Sequence, residues 1–168
     1  MPWQEDLEAS LRDDPKARAK GIRILRKEIL PKGAGKHAER LDRLATWTEA
    51  SLRRMGAFLV SDGSTYYLDT RTGRVYDMRS SAWHLYLAKE FGILRVMKEY
   101  PHILFRLDEY AMTEGMESTV SRLANWHGGN LYVSTGQYVL RLDGVGVRIQ
   151  HNGEDGGLFH NEGESWTY

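Results

Sequence analysis

The chain of 168 residues contains no cysteine. Disulfide frameworks, thiolate metal sites and cysteine nucleophiles are therefore excluded, and the composition fits a reducing compartment. No apolar run approaches the roughly 18 residues that are needed to cross a bilayer. The N-terminal sequence MPWQEDLEAS lacks the basic and apolar regions of a signal peptide. From these absences we expect a cytoplasmic protein that does not enter a membrane.

The chain also lacks an excess of charge of either sign. Its 23 basic and 23 acidic residues cancel, so the chain as a whole makes no electrostatic case for a polyanionic partner. The distribution is uneven, because residues 1–55 contain 13 Lys/Arg and 9 Asp/Glu, a net charge of +4, whereas residues 56–168 contain 10 and 14, a net charge of −4. This difference in net charge is smaller than the charge of the basic stripes on dedicated duplex-binding proteins.

Motifs of catalysis are missing as well. The GAGK sequence at residues 33–36 is not a phosphate-binding loop, because Leu30 and His37 stand where that motif has a glycine and a Ser/Thr. The six histidines are scattered without helical or strand pairing, and the glycine-rich residues 151–164 lack the ligand pattern of a calcium loop. We therefore predict no catalytic residue, no metal site and no cofactor. A small hydrolase is a third hypothesis, behind the two that are given below. Only the presence of scattered His, Asp and Glu residues supports it.

The N-terminal third has helical periodicity. Asp14 is the expected N-cap with Pro15 at the first helical position, and an apolar face continues over Lys16–Leu30. A second helix is expected over about His37–Met55, where apolar residues recur at helical spacing until Gly56 ends it as a C-cap glycine.

The rest of the chain alternates between strand and helix patterns. Short Tyr-rich segments with alternating polarity between Gly, Asp and Asn turns predict antiparallel strands. The expected elements are strands at 57–60, 65–69 and 74–78, helices at about 80–91 and 95–114, and a meander of strands at 119–126, 131–134, 138–142 and 147–150. We predict an α+β fold with a helical N-terminal region, residues 1–55, and an α+β domain, residues 56–168.

Two features favour nucleic-acid binding. The predicted N-terminal helices are dense in cations that could neutralise phosphates. Exposed tyrosines on a sheet could stack with single-stranded bases. The candidate residues are Lys16, Lys20, Arg23, Arg26, Lys27, Lys36, Arg40 and Arg43 for phosphates, and Tyr66 and Tyr76 for bases. An ordinary solvated helix face and cross-strand aromatic packing are the competing explanations of these patterns.

A protein-interaction module is the alternative from a different class. In this interpretation the amphipathic N-terminal helices pair with another subunit or with a second copy. Trp3, Trp47 and Leu52 would be the apolar anchors of that contact.

A family resemblance narrows the function. The order YYLDTRTGRVYDM, a helix ending in KEFGI, a helix ending in LDEYAMTEG, then NLYVSTGQYVLRLDG and NGEDGGLF resembles a segment that precedes the ATPase domain in phage- and plasmid-type replication proteins of the primase-helicase kind. The resemblance covers about residues 56–159, and residues 1–55 do not take part. It implies an accessory module that helps to load or grip DNA beside a P-loop motor.

The chain departs from such proteins because it contains no Walker motif and neither a zinc-binding nor an acidic primase centre. Catalysis would then belong to sequence outside this chain. The leading prediction is a non-catalytic accessory domain of a mobile-element DNA replication system, which binds single-stranded or forked DNA. Self-association or a protein partner is the alternative.

Overall fold

The computed structural model describes residues 14–27, 37–136, 138–155 and 157–160, without the side chains of His37 and Arg40. Trp3, Lys36 and residues 28–30, the predicted end of the first helix, lie outside this part of the chain. The helices are α1 (Pro15–Lys27), α2 (His37–Met55), α3 (Ser81–Phe91) and α4 (Tyr100–Glu114). The strands are β1 (Gly56–Ser61), β2 (Ser64–Asp69), β3 (Arg74–Asp77), β4 (Met116–Glu117), β5 (Val120–Ser121), β6 (Ala124–His127), β7 (Asn130–Ser134), β8 (Val139–Asp143), β9 (Gly146–Gln150) and β10 (Leu158–Phe159).

The predicted α+β class is confirmed. The chain forms two compact units from interleaved segments: a helical unit of Met1–Met55 with Ser81–Tyr110, and a sheet unit of Gly56–Ser80 with Ala111–Tyr168. The junction after Met55 coincides with the predicted boundary, but α3 and most of α4 group with the N-terminal helices. Whether residues 1–55 and 56–168 are separate folding domains stays a prediction.

Helix α1 begins and packs as its sequence indicates. The Asp14 Oδ1 atom accepts a hydrogen bond from the Lys16 backbone N–H at 2.9 Å, so Asp14 is the N-cap. Ile22 and Leu25 are buried on the side that faces α2 and α3. The amphipathic pattern therefore sets which side of α1 points to solvent.

Helix α2 ends at Met55 as predicted, but the role expected of Gly56 is wrong. Gly56 is the first residue of β1 and does not adopt the positive φ of a C-cap glycine. A Cβ atom at this position would lie 1.9 Å from the Leu68 carbonyl oxygen and 2.8 Å from the Tyr67 hydroxyl. The glycine is required by the close approach of β2 and not by a left-handed turn.

Helix α3 has the predicted bounds, whereas α4 begins later than predicted. Gly92, with φ of 66°, ends α3 in the left-handed conformation. Helix α4 starts at Tyr100 instead of Arg95, which places Pro101 in the first turn. Proline is accepted there because its missing N–H has no intrahelical partner at that position.

The first sheet has the strand order β3-β2-β1-β4. A tight turn at Asp62 and Gly63, with φ of 49° and 72°, joins β1 to β2 as the predicted hairpin. Strand β4 then pairs in parallel with β1, which local patterning did not predict. One buried side of this sheet includes Leu59 and Val75.

The predicted strand over residues 119–126 is wrong, because two separate strands occupy it. Strand β5 pairs in parallel with β10 in a second, two-stranded sheet, whereas β6 opens a third sheet of order β6-β7-β8-β9. The antiparallel pairings of β6 to β9 agree with the rest of the predicted meander. The split arises from a non-local pairing with residues 158–159, which polarity alternation around residue 120 does not encode.

Candidate nucleic-acid interface

Four exposed cations form one stripe along α1. Lys16, Lys20, Arg23 and Lys27 follow one another at intervals of four, three and four residues, and all four are exposed. At 3.6 residues per turn these positions fall within an arc of about 60°, over a length of about 16 Å. We call these four residues the α1 stripe.

The other two cations of α1 point into the unit. Arg18 is 1% exposed, its guanidinium forms an ion pair with Glu90, and it lies 5.6 Å from the centre of the Phe91 ring. Arg26 is half-buried, and its Nε lies 3.3 Å from Oε1 of the buried Glu99. Arg26 was predicted as a phosphate ligand, but its guanidinium is already paired with Glu99.

Helix α2 has a lower net positive charge than α1. The sequence of α1 contains six Lys/Arg and no Asp/Glu, whereas that of α2 contains four Arg and three Asp/Glu. Exposed Arg43, another predicted phosphate ligand, is paired with Glu39 one turn earlier. Of these two helices, α1 therefore has the higher net positive charge.

A groove of about 760 Å³ opens beside the stripe. One wall of this groove comes from α1 and the other from the connection between α3 and α4. We call it the α1 groove. Arg23 belongs both to the α1 stripe and to this groove. The lining residues are Ala19, Ile22, Arg23, Arg26, Gly92, Leu94, Val96, Met97, Lys98 and Glu99.

Hydrogen bonds fix the wall of the groove that the connection between α3 and α4 forms. The Met97 N–H donates to the Leu94 carbonyl oxygen at 2.9 Å, and the Leu94 N–H approaches Met97 Sδ at 3.1 Å. At the end of the connection, the Tyr100 hydroxyl and His84 Nδ1 form a hydrogen bond. Hydrogen bonds therefore stabilise this wall internally and link it to α3.

The His84–Tyr100 pair has perturbed ionisation. Burial, followed by the nearby Arg95 guanidinium, lowers the pKa of His84 below its ordinary 6.5. Burial also raises the pKa of Tyr100, against an opposing hydrogen bond and charge from Arg95. Both groups are therefore held in their neutral forms, which suits a structural hydrogen bond.

The predicted tyrosine platform is wrong for Tyr76. Its ring is 9% exposed, and Tyr67 on the neighbouring strand is completely buried. Tyr66 is half-buried, packs against the core that contains Leu59, and makes an edge contact with the His160 ring at 6.1 Å between centroids. Cross-strand packing, the competing explanation of this pattern, accounts for these rings.

The predicted partner anchors of α2 are also corrected. Leu52 is completely buried, and Trp47 is 9% exposed with its ring edge against Phe91. Both side chains stabilise the helical unit from inside, so neither offers an exposed surface to a partner. The sequence pattern marked them as apolar but could not distinguish an internal from an external contact.

An exposed apolar surface that sequence analysis missed lies on the third sheet. The register aligns two cross-strand rows on one face, and three members of this face, Trp126, Val147 and Ile149, are 69%, 63% and 72% exposed. Alternation of apolar and polar residues is typical of a strand with one buried face, but much of this apolar face is exposed. The rows are Trp126-Leu131-Leu142-Val147 and Ala124-Val133-Leu140-Ile149, which we call the third-sheet apolar face.

The opposite face of this sheet is partly covered by its own unit. Tyr132 and Val139 are buried there in a cluster with Phe159 of β10. Arg141 bridges to Asp155 at 2.7 Å and approaches Asp143 at 3.8 Å. The contrast between the two faces is what makes the third-sheet apolar face stand out.

Comparison of the chain with protein-family models, with curated proteins and with solved structures finds no match. Among the described residues, no three His, Asp or Glu side chains converge as metal ligands. The helices in that part of the chain are too short or too polar for a membrane span.

Proposed function

We propose that the protein is a non-catalytic, DNA-gripping accessory domain that binds single-stranded or forked DNA through α1. The α1 stripe is the observation that carries the proposal. Its four cations are exposed on the side of the helix that lies opposite the buried Ile22 and Leu25. Such an arrangement offers cations to successive phosphates without any rearrangement of the core.

The charge balance of the helices supports α1 as the contact over α2. A cation that already has a carboxylate neighbour adds little to phosphate binding, because the phosphate must compete with that carboxylate. Arg43 is in this position, and α2 has four Arg against three Asp/Glu, whereas α1 has six Lys/Arg and no Asp/Glu. Four phosphate contacts on a single strand correspond to a slope of about −3 in a plot of log K against log salt concentration.

The test is fluorescence anisotropy of the full chain with labelled single-stranded and forked DNA over a salt series. The triple variant Lys16→Glu, Lys20→Glu and Lys27→Glu should bind at least about tenfold more weakly, with the salt slope reduced by about 2. The matched control is Arg43→Gln with Arg53→Gln, which removes cations that are paired on α2. Binding that does not depend on salt, or an unaffected triple variant, would contradict the proposal.

The setting in mobile-element replication, in the cytoplasm, is part of the same proposal. It is supported by the resemblance of residues 56–159 to the segment ahead of primase-helicase motors. The stripe lies outside those residues, so the resemblance and the basic surface are independent supports. A preference for forked over blunt duplex DNA in the same assay would agree with this setting, and tighter binding to blunt duplex would contradict it.

The third-sheet apolar face favours a second candidate function, self-association. We propose a second copy of the chain as its occupant, because the face is uncharged and can pair with itself across a two-fold axis. Four strands about 4.8 Å apart, each about five residues long, give only about 300 Å² per copy. A stable interface needs about 800 Å² per partner, so the expected dimer is weak.

Light scattering over a concentration series tests this candidate. Association that is lost in the variant Ile149→Lys but retained in Arg148→Gln, on the same strand, would support it. A constant monomer mass at millimolar concentration would exclude it. The N-terminal helices that sequence analysis had favoured for this role use the buried Ile22, Leu25 and Leu52 inside the helical unit.

A further inference from the structure

We infer that the α1 groove receives one unstacked base of the DNA strand whose phosphates lie along the α1 stripe. The inference rests on the proposed function and names the part of the ligand that the groove recognises. Three observations carry it: the continuity of stripe and groove, the charge at the groove, and its apolar walls.

Continuity comes from Arg23. Its side chain is exposed on the stripe and also lines the groove, together with Ala19 one turn earlier and Arg26. A strand held by Lys20, Arg23 and Lys27 therefore passes the groove opening. A base attached to the phosphate at Arg23 is the part of the strand that lies nearest to the cavity.

The charge of the groove selects an anionic ligand. Arg23 and Lys98 are exposed at its two walls. The one acidic residue of the lining, Glu99, is 4% exposed and paired with Arg26. The accessible charge is thus positive on both sides, which favours a phosphate at the opening and disfavours a cationic ligand.

The walls add an apolar surface that an inorganic anion would not need. Leu94 and Val96 are 50% and 88% exposed on the connection between α3 and α4, and Ile22 and Met97, which also line the cavity, are buried. A volume of about 760 Å³ is within the usual range of small-ligand sites. A planar base beside a phosphate combines the two requirements, since its faces are apolar and its backbone is anionic.

The experiment compares labelled oligothymidylate with an abasic phosphodiester tract of the same length, using the full chain. The natural protein should bind the thymidylate about tenfold more tightly, because only this strand has a base to place in the groove. The variant Leu94→Ser with Val96→Ser should lose that preference. Its affinity for the abasic tract and its salt slope should not change.

The control is Leu85→Ser, a change at another exposed leucine of the helical unit that does not line the groove. It should keep the preference for thymidylate. Far-UV circular dichroism checks that each variant is folded, and folding is expected because the substituted side chains are exposed. Equal binding of both tracts to the natural protein, with steep salt dependence, would overturn the base inference while the proposed function stands.

Other results separate the alternatives. Failure of every oligonucleotide to bind at low salt would overturn both the base inference and the proposed function. An acidic peptide of alternating Asp and Leu that displaces thymidylate at lower concentration than unlabelled thymidylate does would instead identify the groove as a peptide site, and would also overturn the inference.

Discussion

Arg18 differs from the stripe cations of the same helix because its guanidinium is buried. Its Nε donates to the Glu90 carbonyl oxygen at 3.3 Å, and a terminal nitrogen of the guanidinium is paired with the Glu90 carboxylate. The guanidinium also lies over the Phe91 ring. These contacts join α1 to the end of α3, so Arg18 is a residue of the fold and not of the DNA-binding surface.

We expect Arg18→Met to lower the free energy of unfolding by about 2–3 kcal/mol. The methionine retains most of the aliphatic volume but leaves the Glu90 carboxylate, whose side chain is 18% exposed, without this partner. Urea denaturation measures the effect. The comparison is Arg43→Met on α2, where the ion pair is exposed and the loss should stay below about 0.5 kcal/mol. Equal losses at the two sites would contradict the structural role of Arg18.

Asn152 is a buried polar residue that stabilises the sheet unit, as Arg18 does the helical unit. It is 8% exposed, its Nδ2 atom donates to the Phe159 and Gly73 carbonyl oxygens at 2.7 and 3.1 Å, and its Oδ1 accepts from the Phe159 N–H at 2.8 Å. The side-chain amide therefore takes the place of a neighbouring strand beside β10. It also links β10 to the turn before β3.

Replacement of Asn152 by Asp should destabilise the protein by about 2–4 kcal/mol, because both amide donors are lost and a carboxylate then faces two carbonyl oxygens. Thermal and urea unfolding would show this as a lower midpoint. Asn130→Asp is the matched control, since its side chain makes one exposed hydrogen bond of 3.4 Å. A stability equal to that of the natural protein would mean that the Asn152 contacts contribute nothing.

At the level of elements, the His84–Tyr100 pair links α3 to the start of α4 and predicts how stability depends on pH. The folded-state pKa of His84 is lowered, so the unfolded chain takes up this proton first as the pH falls. Its contribution to stability is complete above the ordinary pKa of about 6.5 and is lost progressively below it. The pKa of Tyr100 is raised, so the contribution of this group is lost as the pH rises above about 10.

Urea midpoints across this pH range test the pair. We expect His84→Phe to weaken the loss of stability on acidification, and Tyr100→Phe to weaken the loss on the alkaline side. His151 is an exposed histidine of the sheet unit, and His151→Phe serves as the control for a change of histidine number. An unchanged acid limb in the His84 variant would show that other groups set the pH dependence.

Sequence periodicity predicted the elements that are specified by neighbours in the chain. The N-cap at Asp14, the end of α3 before Gly92 and the turn at Asp62 and Gly63 all follow from local chemistry. The parallel pairings of β4 and β10 could not be predicted in this way, because they join residues that are about 40–60 positions apart. Local patterns contain no information on which distant strand supplies a partner.

In the candidate site, too, local features could be predicted from the sequence and contacts between distant residues could not. The cation density of α1 was visible in the sequence, but the separation of Arg18 and Arg26 from the stripe depends on Glu90 and Glu99, about 70 residues later. The groove could not be predicted either, since one of its walls comes from residues 92–99. The sequence placed Val96 in the first turn of the helix predicted from residue 95, so it did not show that residues 92–99 form a non-helical connection with two exposed apolar side chains, Leu94 and Val96.

At the scale of the whole molecule, the helical unit is assembled from two stretches of chain that flank the first hairpin. Helix α1 packs against both α2 and α3. Trp83, Leu87 and Phe91 of α3 are fully buried, and the ring of Phe91 contacts Trp47 of α2. Residues 56–168 alone would therefore contain α3 and α4 without α1 and α2, of which α1 packs against α3.

We expect a fragment of residues 56–168 to lose cooperative folding of these two helices. Exposure of three large apolar side chains removes about 1.5–3 kcal/mol of burial free energy for each, which is a large part of the stability of a small unit. The fragment should show reduced helix content, lower solubility and binding of an apolar dye, whereas the full chain should unfold in a cooperative transition. A separately added peptide of residues 14–55 should restore part of the helix signal, because it supplies α1 and α2. A fragment that melts as cooperatively as the full chain would instead support the division at residue 55 that the sequence predicted.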